Sequence, residues 1–261
     1  MSSSPWFLRD PASSEREARI YCFPHAGGNP RSFLGWQRGL GDDAEIVAVC
    51  PPGRGPRYQE PSATDVMELA DGVAAAIVAT ADRPFVLFGH SFGAVLAFEV
   101  ARRVGGLPDC RHLVASGCSA PALLPSRRVV ETARLKGRAF TEAVGFFGGL
   151  PPEVVADEAL QELLLPHLKA DFRMVAQYAY RPGAPLSVPV TLINGVDDPH
   201  VKEAGLEPWA RECADEPAQH WVDGGHFYFD GRPDAVTDVL RSLLSADRGA
   251  NPPGGTHVEV I

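Results

Sequence analysis

The chain has 261 residues, 45% of them hydrophobic and 22% charged, and carries a formal net charge of -9. That length can bury the core of one α/β domain over residues 1–261, while the acidic balance argues against nucleic acid, whose phosphates need a basic face, and against nonspecific contact with acidic proteins. No apolar run approaches the roughly 20 residues of a membrane span, residues 1–10 lack the charged start and apolar core of a signal peptide, and Cys22, Cys50, Cys110, Cys118 and Cys213 show neither disulfide-framework nor zinc-site spacing.

Arg19-Ile20-Tyr21-Cys22-Phe23 reads as a strand that empties into Pro24-His25-Ala26-Gly27-Gly28-Asn29, a loop of residues tolerant of unusual backbone angles. Glu45-Ile46-Val47-Ala48-Val49-Cys50 is the next strand, ending in Pro51-Pro52-Gly53-Arg54-Gly55-Pro56. Residues 65–80 form an amphipathic helix for which Ser62 or Thr64 is the expected cap. Pro84-Phe85-Val86-Leu87-Phe88 is a buried strand, and Ala94 to Arg102 carries apolar residues at helical spacing. Between them lies Gly89-His90-Ser91-Phe92-Gly93, a G-x-S-x-G pattern in the strand, turn, helix context of a nucleophile elbow.

His112-Leu113-Val114-Ala115-Ser116 continues the sheet. From about 122 to 185 the pattern turns helical, with helices over 127–140 and 157–180 joined by Gly145-Phe146-Phe147-Gly148-Gly149-Leu150-Pro151-Pro152. This stretch reads as an insertion placed to cover the serine, either a mobile lid hinged at its glycines and prolines or a fixed layer. Pro189-Val190-Thr191-Leu192-Ile193-Asn194 resumes the sheet and delivers Gly195-Val196-Asp197-Asp198-Pro199. Trp209 falls on a following helix, Gln219-His220-Trp221-Val222 is a last strand, and Asp223-Gly224-Gly225-His226-Phe227 puts a histidine on the loop after it. A closing helix over 233–245 and a loose tail over about 247–261 complete the chain. Strands alternating with helices predict a mostly parallel sheet covered on both faces, with the site at the strands' carboxyl ends.

A serine hydroxyl is a poor nucleophile until a histidine takes its proton, and the histidine needs a carboxylate to hold its tautomer. Ser91, an aspartate at a strand exit and His226 follow the chain order expected on α/β-hydrolases. Of the two adjacent aspartates Asp198 is preferred, because its spacing from Gly195 carries it past the turn, whereas Asp197 caps or faces solvent. The backbone N–H groups of Phe92 and Ala26 are the expected oxyanion donors, and His25 and His90 are read as residues that hold their loops.

The chain resembles the type II thioesterases, stand-alone editing enzymes of polyketide synthases and nonribosomal peptide synthetases. The resemblance rests on Trp6-Phe7, Cys22-Phe23-Pro24-His25-Ala26-Gly27-Gly28, Pro52-Gly53-Arg54, the elbow, Ser116-Gly117 with Ala120-Pro121, Leu165-Pro166-His167-Leu168-Lys169-Ala170-Asp171-Phe172, and Gly224-Gly225-His226-Phe227. It runs from about 6 to 244, and 165–172 is its most family-specific part. Three departures bear on the acyl pocket: Phe92 replaces a methionine, Lys169 an arginine and Cys118 a residue that is often arginine.

The alternating elements and the insertion read as an α/β-hydrolase fold with a helical lid. The missing span, signal peptide and zinc-site spacing read as a cytoplasmic protein without a metal, expected to be a monomer. The family implies no cofactor, since the substrate itself carries the phosphopantetheine. It implies hydrolysis, through an acyl-serine, of acyl groups stalled on acyl or peptidyl carrier proteins. A general carboxylesterase or acyl-CoA hydrolase, or an inactive hydrolase-fold binding module, are the other readings. The carriers implied are acidic, so docking on a chain of charge -9 needs a local basic face. Residues 126–138 offer one in Arg127, Arg128, Arg134, Lys136 and Arg138, with Arg127, Arg128 and Arg134 as the docking candidates, set against a merely solvated helix face.

Overall fold

The computed structural model describes residues 4–250 apart from 14, 149 and 151. Seven strands, β1 (Phe7–Arg9), β2 (Ala18–Phe23), β3 (Ala44–Val49), β4 (Phe85–His90), β5 (Cys110–Ser116), β6 (Val190–Gly195) and β7 (Ala218–Val222), form one sheet in the order β1-β3-β2-β4-β5-β6-β7. Every pairing is parallel except β1 with β3. β1 escapes sequence reading because three residues show no period, and its partner, forty residues away, is what makes it a strand.

The strands are near-continuous apolar runs because both faces are covered. Tyr21, Phe23, Leu87, Leu113 and Leu192 pack with α2 (Val66–Thr80) and α3 (Phe92–Val104), while Ile20, Cys22, Ile46, Phe88 and Val114 pack on the other face. That second face is closed by Trp36, by Leu40 of α1 (Gln37–Leu40), and by Val236 and Leu240 of α9 (Asp234–Ala250). This is the α/β-hydrolase architecture. α2 buries Val66, Leu69, Ala70, Val73 and Ile77, the spacing of one helical face. Its cap is Asp65 rather than Ser62 or Thr64, with Oδ1 accepting from the Met67 and Glu68 amides at 2.7 and 3.0 Å. Asp65 alone combines an extended backbone with a carboxylate one residue before the helix.

The insertion contains α4 (Arg127–Arg134), α5 (Gly137–Gly145), α6 (Pro152–Ala156) and α7 (Glu158–Ala176). The helix expected over 127–140 is thus two. Leu135 and Lys136 are extended and Gly137 has φ 53°, which breaks the run despite its good helix formers. Of the expected glycine-proline joint, Gly149 and Pro151 lie outside the described residues. Trp209 is buried on a 3-10 turn, Glu207–Arg211, which follows α8 (Glu203–Leu206). Of the tail expected over about 247–261, residues 247–250 belong to α9, and 251–261 lie outside the described residues. No helix among the described residues is long and apolar enough to cross a membrane.

Candidate active site

Register brings the loops together. Phe23 pairs with Gly89, His90 with Ser116 and Gly195 with Val222, so β2, β4, β5, β6 and β7 end along one edge. Ser91 follows β4 with φ 55° and is the single non-glycine residue of positive φ among those described. Such a conformation costs about 1–3 kcal/mol, and the surroundings hold it. Ser91 N–H donates to Ser116 O at 2.8 Å, and α3 begins at the next residue. The flanking glycines are steric necessities: a Cβ at Gly89 would stand 2.1 Å from Gly93 O, and one at Gly93 2.1 Å from Phe23 O.

The acid and histidine loops are locked in the same way. A Cβ at Gly195 would stand 2.3 Å from Gly225 O, and the Asp197 amide donates to Gly224 O at 3.0 Å. His226 Nδ1–H donates to Asp198 Oδ2 at 2.7 Å, and the His200 amide donates to Asp198 Oδ1 at 2.8 Å. Asp198 is 1% exposed, whereas Asp197 points to solvent. Burial opposes ionisation of Asp198, but the bond from His226, that ring's charge and the His200 amide outweigh it and hold the carboxyl below its ordinary value.

Ser91 and His226 line one cavity of about 300 Å³ together with Ala26 and Phe92. Its walls are mainly apolar, with Val95, Leu124, Val129, Phe147, Phe172 and Val201 among them. Phe147 and Phe172 come from the insertion, which therefore forms part of the cavity wall. Cys118 also lines it, in the position that departs from the family pattern, and burial pushes its thiol up to about 12, so it stays protonated.

The neighbouring histidines are kept neutral. His25 is lowered to about 4 by burial and then by the His226 and Arg54 charges, and its ring meets Phe227 edge-on at 4.8 Å. His90 is fully buried, which pushes it well down, and its Nδ1 lies 2.8 Å from Ser116 Oγ, which lies 2.6 Å from Tyr228 OH. His90 therefore ties β4 to β5, as a holding residue does. His200 was not anticipated. It lines the cavity, stacks on Phe147 at 4.6 Å, and is lowered to about 4 by burial and then by His226. Its place two residues after Asp198 is the one signal that could have marked it.

The basic run divides. Arg127 Nε pairs with Glu131 Oε1 at 2.7 Å, both exposed, and Arg138 pairs likewise with Glu142 at 2.7 Å. Arg128 lines the cavity with its guanidinium 3.8 Å from the Phe146 ring centroid, while Arg134 is exposed at the end of α4. All three docking candidates are exposed, and Arg128 alone of them also lines the cavity.

A family model for the thioesterase domain matches residues 18–245. The chain belongs to the thioesterase family. Thioesterase PikA5 of Streptomyces venezuelae is 32% identical over 255 residues, covering 96% of this thioesterase and 89% of that protein. Linear gramicidin dehydrogenase LgrE of Brevibacillus parabrevis is 32% identical over 253 residues, covering 94% of this chain and 95% of that one. The activity in its name differs from that of the family model, and it is said of that protein. The solved type II thioesterase BorB, from the borrelidin biosynthetic cluster, superposes with a TM-score of 0.83 at 30% identity, over 94% of this thioesterase and 99% of that chain. This thioesterase is accordingly a hydrolase acting on thioesters.

Proposed function

We propose that the thioesterase releases acyl groups stalled on the phosphopantetheine arm of acyl or peptidyl carrier proteins, with Ser91 as nucleophile, His226 as general base and Asp198 as its orienting acid. The observation that carries this reading is the meeting, in one cavity, of a serine held at φ 55° and a histidine bonded to a buried carboxylate. The type II thioesterase named among its structural neighbours supports the pathway.

In this mechanism His226 takes the Ser91 proton as Oγ attacks the thioester carbonyl. The tetrahedral oxyanion is held by the Ala26 and Phe92 amides, the second of which opens α3 and adds the helix's positive end. Collapse expels the pantetheine sulfur, which leaves as the thiol with the proton from His226. Water, deprotonated by the same histidine, then attacks the acyl-serine, and a second collapse returns the proton to Ser91 and frees the carboxylic acid. Asp198 stays ionised throughout and keeps the imidazole's Nε2 free to face the serine.

The test is turnover of carrier proteins differing only in the acyl group, beside matched acyl-pantetheine thioesters and oxygen esters. Ser91→Ala is expected to lower turnover by about 10⁶-fold with the fold intact. Near-normal hydrolysis by that variant overturns the assignment, and equal or faster turnover of the oxygen esters makes the protein a general carboxylesterase.

A further inference from the structure

The block 165–172 is the most family-specific part of the resemblance, yet apart from Phe172 in the cavity wall the triad and its two amides give it no task. Within it, Asp171 is buried on α7. Its Oδ2 accepts from the Gly27 amide at 2.7 Å and also takes the Arg54 guanidinium Nη2. Arg54 in turn donates to Gly53 O at 2.9 Å and to His167 O at 3.2 Å, one turn before Asp171 on the same helix. One carboxylate oxygen therefore joins three chain segments: the loop after β2, the loop after β3 and the insertion.

The loop after β2 is fitted to that contact. Gly27 has φ 74°, and a Cβ there would stand 2.7 Å from Leu168 Cδ1, so α7 packs directly on its backbone. Gly27 is joined through its bonded amide to Ala26, which lines the cavity. Fixing the Gly27 amide pins the peptide plane that follows Ala26 and so narrows how the short loop carrying the Ala26 N–H can turn. A buried ion pair such as Asp171 with Arg54 adds little net stability, because desolvation offsets the attraction. What it does well is hold geometry, and a displacement of about 1 Å at a reacting centre costs on the order of 10²-fold in rate.

We infer that Asp171, braced by Arg54, is a positioning residue that sets the oxyanion loop through the Gly27 amide, so that the insertion takes part in building the transition-state site as well as covering it. The inference rests on the proposed assignment of Ala26 as an oxyanion donor. It also gives Pro52-Gly53-Arg54 a role that neither sequence spacing nor the triad supplied.

The test compares wild type, Asp171→Ala and Asp171→Asn in kcat and KM for an acyl-pantetheine thioester, per folded molecule. It adds affinity for a trifluoromethyl ketone of the same acyl-pantetheine shape, whose carbonyl carbon bonds to Ser91 Oγ and leaves an oxyanion, the serine proton passing to His226. Amide exchange at Gly27 is the third readout. For Asp171→Ala the expectation is a kcat lower by about 10²-fold, KM within about threefold, a parallel loss of ketone affinity and faster Gly27 exchange. Asp171→Asn, which still offers an oxygen to Gly27 but no charge to Arg54, is expected to recover about one of those two decades and stay about tenfold below wild type. A lower Tm with unchanged kcat and ketone affinity makes the contact merely structural and overturns the inference. If the alanine variant does not fold, Asp171→Asn decides alone, and its full activity overturns it. Ser91→Ala separates the two levels: retained turnover there removes the wider reading, whereas an essential Ser91 with an indifferent Asp171 removes only this one.

Discussion

Along the carboxyl edge of the sheet, backbone packs on backbone. Gly93 lies against Phe23, Gly89 against Gly93 and Gly195 against Gly225, each at separations where a single Cβ would come within 2.1 to 2.3 Å of a carbonyl oxygen. In the insertion, side chains do the packing: Ala133, Phe140, Val144, Leu168 and Phe172 make a small cluster, with Phe140 and Phe172 edge-on at 5.8 Å. The insertion leaves Phe146 at 47% and Leu163 at 49% exposure, while β2, β3, β4 and β6 are buried throughout. Backbone contacts tolerate no added atom, so they suit groups that must sit within a fraction of an ångström. Side-chain contacts can be repacked at small cost, so the part of the cavity wall they form tolerates change better than the sheet edge does.

The largest effects are therefore expected at the sheet edge. Asp198→Asn should lower kcat by about 10⁴-fold, by leaving His226 in the wrong tautomer, with the fold unchanged. Asp197→Asn, on an exposed carboxylate, should cost far less, and steady-state kinetics showing the opposite ranking would move the acid by one residue.

A smaller and more local effect is expected from Phe140→Ala, which empties the centre of the insertion's cluster and costs about 3–5 kcal/mol there. Amide exchange should rise through α4, α5 and α7 while the Phe85–His90 strand keeps its protection. In the wild type, residues 140–148 should already exchange faster than that strand. Equal protection in both would make the insertion a fixed layer with no lid motion.

The smallest effect belongs to the basic run. Arg127→Glu with Arg134→Glu should raise KM for an acyl carrier protein several-fold and weaken its salt dependence, leaving a small acyl-pantetheine thioester untouched. Arg128 is left out because it lines the cavity, where a reversal would act on both substrates. Equal losses for both substrates would show that Arg127 and Arg134 support the insertion, and the carrier would then approach from another side.

The elbow, the order of serine, acid and histidine, and all the parallel strands were legible in the sequence because each depends on local pattern. Gly89, Ser91 and Gly93 announce a turn that only glycine allows, and the apolar runs announce strands covered on both faces. The preference for Asp198 over Asp197 came from spacing alone and agrees with where the structure puts the two side chains. Less legible were β1, whose pairing is distant, the cap at Asp65, which the pattern places as the first helical residue with Ser62 or Thr64 before it as cap, and the break between α4 and α5. Good helix formers at 135 and 136 hid that break, since tertiary packing overrode propensity.

The sequence by itself determined which residue types stand at the strand ends, because a strained turn and a buried sheet, like the proposed proton relay, each demand particular side chains at short range. Only the tertiary structure decided what faces them. Asp171 and Gly27 are 144 positions apart and Arg54 and Asp171 117, and a hydrogen bond across such distances leaves no period or spacing to read. The same holds for the stacking of His200 on Phe147 and for Arg128, exposed like Arg127 and Arg134, reaching the cavity as they do not. Periodicity encodes which face of an element is buried, but the partner across the gap is chosen by how the finished elements pack.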